Sequence, residues 1–88
     1  MVRLLGLGLD VGLRDGQLVV TAVAADSLGE MLRVPVGARI LRVGQQAAEG
    51  LDLAGARALF PPDREVILDI QDATGRAMTL SCPPQFGP

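Results

Sequence analysis

The sequence predicts an α+β fold, a small five-stranded antiparallel β-sandwich or partial barrel capped by two short helices. Three observations carry this prediction. Short runs of β-forming residues recur along 88 residues. Turn signals such as Asp15-Gly16 and Asp72-Ala73-Thr74-Gly75 separate them. The strands also fail to alternate regularly with helices, as a parallel α/β sheet would require. The chain is 49% apolar, led by 14 Leu, which is the composition of a folded core. This length holds one domain. We assign the domain to residues 1–82 and expect residues 83–88, which bear Pro and Gly without periodicity, to fray.

Taken in order, Leu7, Leu9, Val11 and Leu13 alternate with Gly8, Asp10 and Gly12, the period-two pattern of a half-buried strand. Asp15-Gly16 turns the chain, and residues 18–23 follow as a second strand of strong β formers. Asp26-Ser27 can cap a helical turn over residues 28–32, with Glu30 favouring its positive end, until Pro35 and Gly37 break it. Residues 38–43 read as a third strand. Asp52 is a good N-cap for a helix in which Leu53, Ala56, Leu59 and Phe60 recur at helical spacing, and Pro61-Pro62 stops it. The last third is a hairpin of residues 66–70 and 76–82, with Ala77, Thr79 and Ser81 alternating against Met78, Leu80 and Cys82.

Composition excludes several chemistries. The chain has no His, Lys, Asn, Trp or Tyr and a single Cys. It therefore cannot build a Ser-His-Asp or Cys-His site, a His-bearing zinc site, a Lys Schiff base or a phosphate-loop Lys. Eight Arg against seven Asp and three Glu give a net charge of −2. With no basic stripe and two aromatic residues, nucleic acid is not an expected partner. The uncharged run of residues 16–25 is about half the ~20 residues of a membrane helix, so no membrane insertion is expected. The apolar stretch of residues 4–9 meets Asp10 too early for a secretory signal. A cytoplasmic location is expected for the chain as it stands, and a periplasmic or exported one if it belongs to a longer protein. Cys82 alone forms no internal disulfide.

Two motifs have plain structural readings. Asp72-Ala73-Thr74-Gly75 is not an aspartic-protease loop, because Ala73 interrupts the required Asp-Thr/Ser-Gly; it reads as a hairpin turn, and Asp69 and Asp72 form no carboxylate dyad. Gly6 and Gly8 do not begin a dinucleotide fingerprint, since the third Gly falls at 12 where the spacing needs 11. We expect no catalytic residue, no cofactor and no metal.

The order of elements resembles a PDZ domain over residues 5–82. Leu5-Gly6-Leu7-Gly8-Leu9 resembles that family's Gly-Leu-Gly-Phe-type carboxylate loop. Ala25-Asp26-Ser27-Leu28-Gly29 stands where the family tends to have Gly-Ser-Pro-Ala, and residues 36–44 stand where it has Gly-Asp-x-Ile-x-x-Val-Asn-Gly. Ala38, Gly44-Gln45 and Leu28-Gly29 depart from those patterns. The closing hairpin is similar to the ending of the bacterial, circularly permuted type, in which the last strand fills the first-strand slot.

The resemblance implies a non-catalytic module that binds a hydrophobic C-terminal or extended peptide by β-augmentation between the strand of residues 7–13 and the helix of residues 53–60. A Gly-x-Gly turn aims successive amides into one concavity, which favours an anion, and a strand edge pairs with an extended chain. The implied peptide-binding residues are Gly6, Leu7, Gly8, Leu9, Val11, Leu53, Arg57 and Phe60. The amides of Leu7, Gly8 and Leu9 would hold the carboxylate, and Leu7, Leu9, Val11 and Phe60 the last ligand side chain. Leu53 stands where many family members carry His and would make the antepenultimate pocket apolar, while Arg57 would pair with an acidic ligand residue or close the groove. For each residue the bland alternative is a core or solvated surface position. Two other roles stay open: a substrate-sensing segment of a larger bacterial protease or secretion protein, and a homodimer through the groove or an edge strand.

Overall fold

A computed structural model describes residues 2–4, 6–60 and 64–83 of the chain, and the side chains of all of these except residues 2, 53 and 57. The order of elements is β1 (Val2–Leu4), β2 (Leu9–Arg14), β3 (Gln17–Val23), α1 (Leu28–Met31), β4 (Arg39–Val43), β5 (Gln46–Ala47), α2 (Leu53–Ala58), β6 (Val66–Gln71) and β7 (Ala77–Cys82). The strands form one curled sheet in the order β1-β2-β3-β4-β6-β7, with β5 beside β4, and every pairing is antiparallel.

All five strands expected from the sequence are present, with ends moved by one or two residues. Two short ones, β1 and β5, join them. The β2–β3 turn works as its sequence demands: Asp15 and Gly16 both take positive φ, 52° and 76°, the mirror-image turn whose twist matches the flanking strands. At the β6–β7 turn, Asp72 Oδ1 accepts from the Thr74 amide at 2.9 Å, the Thr74 hydroxyl at 2.7 Å and the Arg76 amide at 2.9 Å. This carboxylate organises a turn. The same hydrogen bonds, the Thr74 hydroxyl first, hold the Asp72 carboxyl below its ordinary range.

The concave side of the sheet is filled by one apolar cluster. Leu4, Leu7, Val11, Leu18, Ala38, Ala56 and Leu68 have no exposed surface, and Leu9, Val20, Ile70 and Cys82 are buried almost as completely. In β2 and β7 the burial alternates as the period-two pattern requires. Register slips in two places. Leu9 and Asp10 face Val23 and Ala22, but Val11 faces Val20, so Thr21 is an extra residue, and its Oγ1 donates to the Asp10 carbonyl at 3.1 Å. Between Ile40 and Arg42, Leu41 is likewise unpaired against β6 and stays partly exposed.

The helices are short and capped. Ser27 Oγ accepts from the Glu30 amide at 3.2 Å, and Glu30 Oε1 accepts from the Asp26 amide at 3.3 Å, a reciprocal pair at the start of α1. In α2 the expected cap forms, with Asp52 Oδ1 accepting from the Gly55 amide at 2.7 Å. The helix ends at Ala58, and Leu59 and Phe60, expected within it, lie just beyond and are buried. None of the described helices is long and apolar enough to cross a membrane. Residues 84–88, most of the expected fraying segment, lie outside the described residues.

Candidate functional site

The candidate site is the turn of residues 6–8 with what packs against it. Gly8 has φ of +73°, which only Gly adopts without strain, and Ser27 lies directly beneath it. Its carbonyl accepts from the Ala24 amide at 2.8 Å, where β3 ends. The Leu7 carbonyl accepts from the Gly29 amide at 2.7 Å. Gly29 has no room for a side chain, since a Cβ would stand 2.7 Å from both that carbonyl and Leu9 Cδ2. The residue that departs from the Pro-Ala pattern is therefore the one that lets α1 close on the turn. Gly6 lies against the Pro83 carbonyl, so the end of β7 also reaches it. Fixed from three sides, the turn aims its Leu7 and Gly8 amides inward, toward β1.

Those amides have a partner. The Leu4 carbonyl accepts from the Leu7 amide at 3.1 Å and the Gly8 amide at 2.8 Å. Leu4 itself is fully buried in the cluster that contains Leu7, Leu9, Val11 and Phe60. The backbone of β1 runs antiparallel along the edge of β2, with Val2 opposite Val11, Arg3 opposite Asp10 and Leu4 opposite Leu9. This differs from the free β2 edge that the sequence suggests: residues 9–11 are already paired, and among the described residues only 12–14 have no partner on that side. On the outer surface Arg3 Nε meets Asp10 Oδ1 at 2.9 Å, which raises the Arg3 pKa through that hydrogen bond and the Asp10 charge. The helix α2 meets the sheet at β1. The strand thus lies between β2 and the helix.

Of the residues singled out in the sequence, Gly6, Leu7, Gly8, Leu9 and Val11 surround this seat, and Phe60 joins the same core cluster at 5% exposure. Leu53 and Arg57 belong to α2, but their side chains lie outside the described residues. Sequence reasoning missed the parts that Leu4, Ala24 and Gly29 play at this turn. Leu4 precedes the glycines within a short apolar run and bears no turn signal. Gly29 reads locally as a poor helix residue, and its reason appears only with Leu7 above it.

Two cavities open among the described residues, the first away from this turn and the second bordering it. One of about 590 Å³ is bounded by the β4–β5 turn, the end of α2 and residues 64–67; one of about 370 Å³ lies beside the Arg3–Asp10 pair, reaching Gly8 and Ala24. The described residues bring together no group of three acidic or Cys side chains suited to a metal. Cys82 is 1% exposed, and burial, then the charge of Glu65, pushes its thiol up to about 11. It is a core thiol, protonated at neutral pH.

A curled antiparallel half-barrel with α1 latched to a Gly-rich turn and α2 set against the adjoining edge invites comparison with known structures. A crystal structure of the PDZ domain of a carboxy-terminal protease from Vibrio cholerae, in complex with a peptide, superimposes with a TM-score of 0.70 at 18% identity, over 89% of this chain and 90% of that one. The chain has a PDZ-like fold. The sequence matches no protein-family model and no curated protein. The PDZ-like fold accounts for the α+β class and the element order, and at this identity the likeness extends to architecture alone.

Proposed function

We propose that this protein is a non-catalytic peptide-recognition module that takes an extended apolar segment, ending in a carboxylate or continuing, as an added strand between β2 and α2. One observation carries the reading: a short extended segment already sits there, its last carbonyl on the Leu7 and Gly8 amides and its last side chain buried in the core cluster that includes Leu7 and Leu9. The turn's amides therefore point where an oxygen acceptor can be received, and the core leaves space for one apolar side chain beside them. A terminal carboxylate placed on the same donors would form charge-assisted hydrogen bonds, stronger than those to a neutral carbonyl. Backbone pairing would supply affinity and the side-chain seat selectivity. The PDZ-like neighbour's complex with a peptide supports the reading.

Kd would be on the order of micromolar, because a short peptide buries little area and loses its own freedom on binding. The test is a titration with labelled peptides ending in Val, Leu or Phe, each as free acid and as C-terminal amide. Tighter binding of the acid is expected, and equal binding would remove the carboxylate role. That the neighbour is one domain of a protease favours a second reading, in which this module senses substrate for a larger protein. Co-purification of a protease whose rate responds to the peptide bound here would support it.

A further inference from the structure

We propose that β1 is a resident ligand of the groove, and that a partner enters by replacing Val2–Leu4 with an extended segment of like chemistry, a basic residue followed by a C-terminal leucine. The proposal rests on the peptide-recognition reading above. An ordinary hairpin would explain the bonds from Leu7 and Gly8 to the Leu4 carbonyl. It would not require a fully buried side chain at the strand's last residue, nor a helix set against the strand's far side. Both are what a seated ligand needs. The direction also agrees, since β1 runs antiparallel to β2 and ends at the inward-facing amides.

The resident strand reports what the seat prefers. Its last position is a leucine with no exposed surface. The position before it faces Asp10 across the pair, where Arg3 is mostly solvated and Asp10 mostly covered, with side-chain exposures of 67% and 23%. A basic residue there would keep the ion pair, and an acidic one would set two negative charges side by side. Replacement is feasible because β1 is short: it pairs with residues 9–11 of β2 and, among the described residues, leaves 12–14 without a partner on that edge, so a longer segment gains ladder bonds that Val2–Leu4 does not make. A free carboxylate adds charge on the turn amides that the Leu4 carbonyl lacks. Against this, β1 is tethered, and a tethered competitor acts at an effective concentration of about millimolar, so apparent affinity in the intact chain falls below that of the open groove.

The experiment uses the peptide Ala-Ala-Val-Arg-Leu as free acid, with the intact chain and a variant lacking residues 1–4. The variant is expected to bind about tenfold or more tightly. In the intact chain at saturation, the Leu4 methyl resonances should move to positions of solvent-exposed leucine while the Leu7 and Gly8 amides stay protected from exchange. Exchanging the probe's Arg for Glu should weaken binding about threefold. A saturated complex with Leu4 still at its buried chemical shifts overturns replacement while peptide recognition stands, and so does equal affinity of two folded chains. No binding by either chain overturns peptide recognition, and replacement with it. If the shortened variant does not fold, the Leu4 resonances of the intact chain decide alone.

Discussion

Gly29 shows how one missing methyl group shapes the site. It is the only way for α1 to present an amide to the Leu7 carbonyl at 2.7 Å while Leu9 packs beside it. Gly29→Ala should destabilise the domain by about 1–3 kcal/mol, as overpacking of a tight core does, despite alanine's better helix propensity. Thermal unfolding would show it, and exchange of the Leu7 and Gly8 amides should quicken as the turn loses its latch. Cys82 makes a second prediction. Its thiol, ordinarily at 9.0, is pushed up to about 11, chiefly by burial. Stability from the neutral thiol is complete below pH 9.0 and is lost as pH rises toward about 11. The loss should be about 2–3 kcal/mol in denaturant titrations, and Cys82→Ala should remove that part of the alkaline slope. At neutral pH a thiol reagent should label Cys82 only after unfolding.

At the scale of elements, turns and caps were the parts most legible in the sequence. Asp15-Gly16, Ser27 and Asp52 each name a backbone conformation or an amide to be bonded, and each does that in the structure. Ser27→Ala should cost about 1 kcal/mol through the cap of α1. More should follow than from an isolated cap, because the Ser27 hydroxyl also donates to the Ala24 carbonyl at 2.7 Å. Asp72, whose carboxyl lies below its ordinary range, stabilises the β6–β7 turn above that range, and the contribution is lost as pH falls through the depressed value. Comparing Asp72→Ala with the parent in urea should show a deficit at pH 7 that closes in strong acid. Less legible were the elements without local signals. The strand β5 is two residues, Gln46–Ala47, neither a β former, and exists because β4 offers an edge. The strand β1 hides in Val2-Arg3-Leu4, too short for a period, and the glycines after it resemble a ligand loop more than a hairpin turn.

The whole molecule has one core, shared by strands from both ends of the chain, with Leu4, Leu9, Ile40, Leu68 and Cys82 in the same cluster. Unfolding should therefore be a single cooperative transition, with Cys82 labelling and circular dichroism giving coincident midpoints. Separate midpoints would mean that β6 and β7 unfold apart from the rest. The α+β class was readable at this scale because binary patterning reports burial. The position of β1 was not, because a strand's neighbour across a curled sheet is a tertiary choice that three residues do not encode.

The pairing of β1 with β2 has a kinetic side. Val2 and Val11 are nine positions apart, whereas the β4–β6 ladder joins Ile40 to Ile70. Local hairpins close in about 1–10 μs, and more distant pairings wait on longer loop closures. In a newly made chain β1 therefore reaches its place while the sheet around it is still assembling. Residues 9–11 of the β2 edge should thereby be covered early, which leaves less of that edge to template the pairing of two unfinished chains.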